Sequence, residues 1–448
     1  MGDSDDVAGG VREKTGDARL SASWPGIRDE QTADVLGALS PTARRILEAA
    51  FRVLDREGDE GLTLRRIAQE AGETRSLILY HFENKAGLVA KLVDSLWHDA
   101  DIALATEVDG LAADPRGRVL ALTGLHRLLA EQPRLYRTYF ALLPHVLRDR
   151  DARSRLTRTY RSYRHLGELC LAPAMDDTVT ALPLATLLLA IGEGITVQTL
   201  LAGDDAGLAS AFAVLERRVL LHLGLEPVEG PAAPRSATVA EAGMLQDLVD
   251  PAAQLTPAAT MVLEGALTLL NDEGPQAITA EALAVVSGQP SSSVFYHFGD
   301  KRGLIAAVVA QSDYRFGRTL LKAARPLAAR SHDPAVVADV MARIFAQPGW
   351  MRTFFDVLPV VLRDDELCRQ EAAFVDRVCH SMDAFFREGD VPAGEARPLS
   401  SLSLALTHGL AIQHLVDRRG TPVEAVIDVW RTLLGEAFAE VTRPSGKA

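Results

Sequence analysis

"LILYHFENKAGLV", Leu77 to Val89, and "SVFYHFGDKRGLI", Ser293 to Ile305, are near-copies of one thirteen-letter stretch within a single chain of 448 residues. Tyr80 aligns with Tyr296 and Lys85 with Lys301, 216 positions apart (296 less 80). The match extends outward in both directions. Upstream, "SPTARRILEAAFRVLDREG" offers Ser40 as an N-cap, Pro41 at the first helical position and a helical stripe of Ile46, Leu47, Ala50, Phe51 and Leu54, stopped by Gly58. "TPAATMVLEGALTLLNDEG" repeats that plan with Thr256, Pro257 and Gly274 in register. Downstream, "LYRTYFALLPHVLRD" from Leu135 pairs with "WMRTFFDVLPVVLRD" from Trp350, and "LPLATLLLAIGEGITVQ" from Leu182 pairs with "RPLSSLSLALTHGLAIQ" from Arg397. A period this long marks a whole domain present twice, not a solenoid repeat.

The periodicity is helical almost throughout, with no alternating β-branched runs bounded by turn pairs, so the expected class is all-α. Six segments follow: a tail over 1–38, a first reading head over 39–90, a first helical domain over 91–225, and a linker over 226–254 rich in Pro, Ala and Gly. A second head over 255–306 and a second helical domain over 307–443 complete the plan. A net charge of −13 argues against a protein that coats nucleic acid or acidic membrane indiscriminately, so any DNA contact must be local. Cys170, Cys368 and Cys379 have no paired metal-ligand spacing and suit a reducing compartment; no metal or cofactor is expected. The N-terminus lacks an apolar signal core, and the apolar run near Ala181 to Ala190 reads as broken by polar residues before it could span a bilayer. These features predict a cytoplasmic protein with no membrane partner.

Within the first head, "TLRRIAQEAGETRSLILYHFENKAGLV" reads as two short helices and a tight turn. Thr63 caps the first, Ile67 and Ala68 face inward, Gly72 turns the chain, and Thr74 caps the second, which ends near Tyr80 with Phe82 plugging the core. This is a helix-turn-helix. It resembles the DNA-binding region of the TetR family of bacterial one-component regulators, through Thr63, Ala68, Gly72, Thr74, Tyr80, His81, Phe82, Lys85, Gly87 and Leu88. Thr279, Ala284, Gly288, Tyr296, His297, Phe298, Lys301, Gly303 and Leu304 carry the same likeness in the second copy.

The resemblance implies that the second short helix enters the major groove and reads bases with its first residues. Arg75 suits a bidentate contact to guanine, and Thr74 and Ser76 suit base or phosphate contacts. Thr63, Arg65, Tyr80, His81 and Lys85, with Arg44 and Arg45, suit backbone positioning. In the second head the corresponding set is Thr279, Ser291, Ser292, Ser293, Tyr296, His297 and Lys301. Both heads have Leu79 or Phe295 where the family commonly has another tyrosine. From Pro41 to Ala100 the first copy carries Arg44, Arg45, Arg52, Arg56, Arg65, Arg66, Arg75, Lys85 and Lys91, whereas Pro257 to Phe316 keeps Lys301, Arg302 and Arg315. Because neutralised phosphates supply much of the affinity, the second head is expected to bind DNA weakly by itself.

The helical halves resemble sensor domains, which implies a pocket for a small organic effector bordered by Tyr136, Tyr139, Phe140, Tyr163 and Glu193, or by Trp350, Phe354, Phe355, Phe386 and His408. Phe82 and Phe298 are expected core. Glu193 and His408 occupy equivalent places on long apolar helices, and a partner on the facing helix is expected for each. Those helices match the pair through which family members dimerise. A chain owning two such pairs is expected to form a pseudo-dimer within itself, with further oligomerisation open. No GxSxG elbow, phosphate-binding glycine loop or HExxH occurs, so no enzyme is expected. The leading expectation is an effector-responsive regulator, a repressor of an asymmetric operator in double-stranded DNA. The alternative is a TetR-like protein whose second half is a degenerate pairing or protein-interaction module.

Overall fold

The computed structural model describes residues 39–96, 114–130, 133–175, 180–203, 206–227, 245–330, 333–347, 349–388, 391 and 393–441, and these contain helices and turns with no strand. The tail over 1–38 and most of the linker, 228–244, lie outside the described residues. The chain divides into two compact units, Met1–Val53 with Leu62–Gly110, and Leu54–Gly61 with Leu111–Ala448.

The first unit carries the first reading head, apart from the end of its first helix, Leu54–Gly61, which is assigned to the second. Helix α1 (Pro41–Gly61) starts where Ser40 Oγ accepts the Ala43 amide at 3.2 Å, and it buries Ile46, Leu47 and Ala50. Gly58 does break the helix, at φ 69°, but the chain resumes helical geometry to Gly61. Helix α2 (Leu64–Ala71) is capped by Thr63 and closed by Gly72 in the left-handed region. Helix α3 (Arg75–Phe82) is capped by Thr74, whose hydroxyl accepts the Leu77 amide at 3.2 Å. Helix α4 covers residues 85–96. Ile67, Ile78, Phe82 and Leu88 meet in the small core, each contributing about 1.5–3 kcal/mol by leaving water.

The second unit holds α5 (Pro115–Ala130), α6 (Pro133–Arg148), α7 (Arg150–Leu171), α8 (Leu182–Ala202) and α9 (Ala206–His222) of the first half. From the second half come α10 (Pro257–Glu273), α11 (Ala280–Ser287), α12 (Lys301–Ala324), α13 (Val336–Phe345), α14 (Gly349–Val361), α15 (Asp365–Glu388), α16 (Ala393–Val416) and α17 (Val423–Val441). At its centre α8 packs along α16. Both are apolar nearly all round, as befits helices covered on every side. Their approach is backbone to backbone: a Cβ on Gly194 would stand 1.8 Å from the Ala405 carbonyl oxygen, and one on Gly409 would stand 1.8 Å from that of Ala190. Only glycine permits this. The two contacts exchange positions 215 apart (409 less 194, 405 less 190), so the crossing is locally two-fold. Phe140 and Phe355, also 215 apart (355 less 140), stack on each other with centroids 6.4 Å apart and planes 14° apart.

The reading of 181–190 as too broken to span a bilayer needs correction. Leu182–Ala202 and Gly394–Val416 are both long and apolar enough to cross a membrane by length and composition, but 94% and 83% of their apolar windows are buried inside the protein. The polar letters Thr186, Glu193 and Thr196 do not interrupt the helix, because the threonine hydroxyls bond to carbonyls one turn back and Glu193 finds side-chain partners.

Candidate nucleic-acid interface and buried polar sites

On α3, Ile78 and Phe82 face the core one turn apart, which turns Arg75, Ser76, Leu79 and Tyr80 outward. Tyr80 is 80% exposed, and its ring meets the half-buried His81 edge-on at 5.1 Å. Arg44, Arg65 and Thr63 are exposed, and Lys85 is half-buried at the start of α4. Thr63 and Thr74 spend a lone pair on the Arg66 and Leu77 amides, which leaves each O–H as a donor for a phosphate oxygen at a helix N-terminus. Arg45 is held by Glu73 at 2.5 Å and Arg52 by Glu70 at 2.8 Å, so both brace the turn as they stand. Leu79, counted in the sequence only as a missing tyrosine, sits on the outward face one turn from Arg75, where an apolar side chain suits a thymine methyl. Its spacing of four from Arg75 was the available signal.

The letters shared by the two copies also build the turn that follows the second short helix. Glu83 has φ 61° and ψ −49°, and the Asn84 amide reaches back to the Phe82 carbonyl at 2.6 Å, a strained γ-turn. Gly299 makes the same turn at φ 81°. Asn84 and Asp300 then accept the Gly87 and Gly303 amides, each at 2.8 Å. Gly87 and Gly303 are required because a Cβ there would lie 2.2 and 1.9 Å from the Phe82 and Phe298 carbonyl oxygens.

The second head departs from expectation at the segment meant to read bases. Thr256 caps α10, Thr279 caps α11 and Gly288 turns the chain at φ 67°, as in the first copy. Beyond that, residues 291–295 form successive turns and Tyr296–Phe298 a single 3-10 turn where an α-helix was expected. Pro290 stands where Thr74 stands in the first copy (290 less 216), so the capping hydroxyl is gone. Ser293 instead gives both its amide and its hydroxyl to the Pro290 carbonyl, each at 2.9 Å, and i to i+3 bonds continue through Phe298. Ser291 and Ser292 remain exposed; Ser293, His297 and Lys301 are half-buried, and Tyr296 is 83% exposed. Phe298 is half-buried, not core, because no full helix carries it inward. The surrounding surface has changed as well: Met261, Val285 and Val286 are exposed where the first copy has Arg45, Gln69 and Glu70.

The expected pocket residues separate into two environments. Tyr136, Tyr139, Phe140 and Glu193 are buried in the first half, with Tyr163 half-buried. Tyr139 and Tyr160 share a hydrogen bond at 2.8 Å, Tyr160 donates to Glu193 Oε1, and Gln413 on the facing α16 donates to Oε2 at 3.3 Å. Burial raises the Glu193 carboxyl to about 8 against the opposing pull of these bonds. In the second half a cavity of about 480 Å³ is lined by Trp350, Phe354, Phe374 and His408, together with Asp313 and Glu371, which the sequence did not single out. Among the described residues the buried Nδ1 of His408 lacks the hydrogen-bond partner expected from a facing helix; its ring stacks on Phe354 instead, centroids 4.7 Å and planes 7° apart. Phe355 and Phe386 lie outside this lining and are fully buried core, Phe355 against Phe140.

The sequence pattern of the family described as "Bacterial regulatory proteins, tetR family" matches the chain twice, at residues 46–92 and 262–308. The transcriptional regulator TtgR of Pseudomonas putida is 44% identical over 77 residues, 17% of this chain and 36% of TtgR, so the match spans about a third of that relative. BetI of Brucella anthropi is 24% identical over 190 residues, 41% of this chain and 95% of BetI. The transcriptional repressor SCO4008 of Streptomyces coelicolor is 28% identical over 179 residues, 37% of this chain and 86% of its own length. With the same domain found twice in the register of the internal repeat, the chain belongs to the TetR family as a tandem duplication of it.

Proposed function

We propose that the chain is a cytoplasmic transcriptional regulator, a repressor that binds operator DNA and is released by a small organic ligand. The observation that carries it is the outward face of α3, with Arg75 and Ser76 at its exposed N-terminal end among the basic side chains of the first head. The α8–α16 crossing supports a further part of the reading, that the two halves pair as a one-chain counterpart of a homodimer. Fusion then replaces a concentration-dependent association with an intramolecular one.

Two forms of this reading differ at the second head: two unlike readers on an asymmetric operator, or one reader with a degenerate pairing module. The 3-10 geometry after Pro290 and the apolar Val285 and Met261 favour the second form. Footprinting on the gene's own upstream DNA separates them. Arg75→Ala is expected to weaken binding by about 1–3 kcal/mol, roughly 5- to 150-fold, as for loss of a bidentate base contact. Ser292→Ala is expected to leave the protected region as it was. An equal loss with Ser292→Ala restores the two-reader form, and an unchanged footprint with a folded Arg75→Ala chain removes the reading.

A further inference from the structure

We propose that the second-half cavity binds a lipophilic organic monocation, seated between the Asp313 and Glu371 carboxyl groups and an aromatic wall of Trp350, Phe354 and His408. This deepens the ligand-responsive part of the proposed function and rests on it. Asp313 on α12 and Glu371 on α15 line this cavity together. Burial is the main cause that raises both carboxyl groups, with the Glu371 charge adding to the rise of Asp313 and Asp313 moderating that of Glu371, so the pair holds protons that a cation can replace. The cations near it are engaged or offset: Arg377 acts on Asp313 from a turn and a half along α15, and Arg315 at the lining is paired with Glu264. The third titratable group facing the cavity, His408, is 3% exposed and burial depresses it to about 3, so it presents a neutral ring with an unpartnered Nδ1. Trp350 packs against Phe316 with centroids 4.7 Å apart, and its buried Nε1 is also unpartnered. Two carboxyl groups, aromatic faces and unused polar atoms around about 480 Å³ suit a cation of modest size. The first half has no such pair, since Leu156 occupies the position equivalent to Glu371 (371 less 215).

Binding such a cation favours the ionised carboxylates, so it takes the place of a proton released to solvent, and affinity rises with pH until the pair is fully ionised. The test is calorimetric titration of the full chain with benzyltrimethylammonium, whose charge is permanent, and with neopentylbenzene, its neutral isostere. The cation should bind at least about tenfold more tightly, a difference of 1.4 kcal/mol, with heats that depend on buffer ionisation in the sense of proton release. Glu371→Gln, and independently Asp313→Asn, should each reduce the preference and the proton release, and their combination should abolish both, while keeping a wild-type unfolding midpoint. Equal affinity for the neutral isostere, no binding of the cation, or wild-type behaviour of either folded variant overturns the proposal. Because DNA is absent from this assay, a failure here leaves the footprint result untouched, and an absent footprint leaves the titration readable.

Discussion

Asp417→Ala is expected to destabilise the second unit by about 3–5 kcal/mol, the range for stripping one partner from a buried ion pair. Arg164, on α7 of the first half, is 2% exposed and donates to Asp417 Oδ2 at 2.6 Å and to Thr421 at 3.0 Å. Arg161, exposed on the same helix, adds a two-pronged contact at 2.8 and 2.9 Å. Burial would raise the Asp417 carboxyl, yet the hydrogen bonds from Arg161 and Arg164 hold it below its usual value. Its stabilisation is therefore present at neutral pH and lost only as pH falls through that depressed value. Alanine leaves the Arg164 guanidinium without its carboxylate. Arg161→Ala, by contrast, should cost no more than about 1 kcal/mol because that side chain is screened by water. Joint replacement by Arg164→Leu and Asp417→Leu should recover much of the loss, since desolvation is then avoided for both charges. Urea unfolding followed by hydrogen exchange at the C-terminal turn of α16 reads all three, and a mild Asp417→Ala phenotype would show that water reaches Arg164.

That pair and a second one bind the halves of the chain where the repeat is no longer symmetric. Arg148 on α6 bonds Asp356 on α14 through two contacts of 2.6 Å and also reaches the Leu270 carbonyl on α10 at 2.8 Å. Counting 215 back from Asp417 and Asp356 gives Ala202 and Ala141, which carry no charge. The glycine crossing is thus common to both halves, whereas the charged clamps exist once each. Such single clamps are open only to a fused chain, in which either half can change without imposing the same change on the other.

The elements legible in the sequence are those fixed by local chemistry. Ser40, Thr63, Thr74, Thr256 and Thr279 cap helices because a hydroxyl or carbonyl must meet the first free amides, and Gly72 and Gly288 turn the chain because their φ is positive. Pro290 was equally visible, but its consequence appears only when the lost cap is placed in register with Thr74. The aromatic letters were read less well. Phe355 and Phe386 are core while Trp350 and Phe354 line a cavity, and apolarity alone does not separate the two, because the difference lies in what the facing helix leaves empty. Arg148 with Asp356 and Arg164 with Asp417 pair across 208 and 253 positions, which no local period encodes.

Glu193→Gln is expected to flatten the pH dependence of stability. With the folded carboxyl raised to about 8 by burial against 4.5 for the free group, the folded chain holds a proton that the unfolded chain releases. The stabilisation from that raised value is complete below 4.5 and is lost as pH rises through about 8, on the order of 4–5 kcal/mol across the window. The groups facing Glu193 make protonation the natural state at neutral pH: Tyr136 and Tyr139 are themselves raised by burial and by this carboxyl, and Arg164 acts on it too weakly to reverse the shift. A protonated Oε2 needs an acceptor, and the buried Gln413 Oε1, unpartnered as placed, becomes one if the amide turns over. Glutamine at 193 can use that same flipped amide, so the substitution keeps the hydrogen bonds and removes only the titration. Ionising the native carboxyl instead places a charge beside Gly194, at the backbone contact between α8 and α16. Unfolding free energies of the two proteins, measured on either side of the window, should converge at low pH and separate at high pH in favour of Glu193→Gln. Parallel curves would mean that Glu193 ionises freely in the folded chain and that the tyrosine network carries no proton linkage.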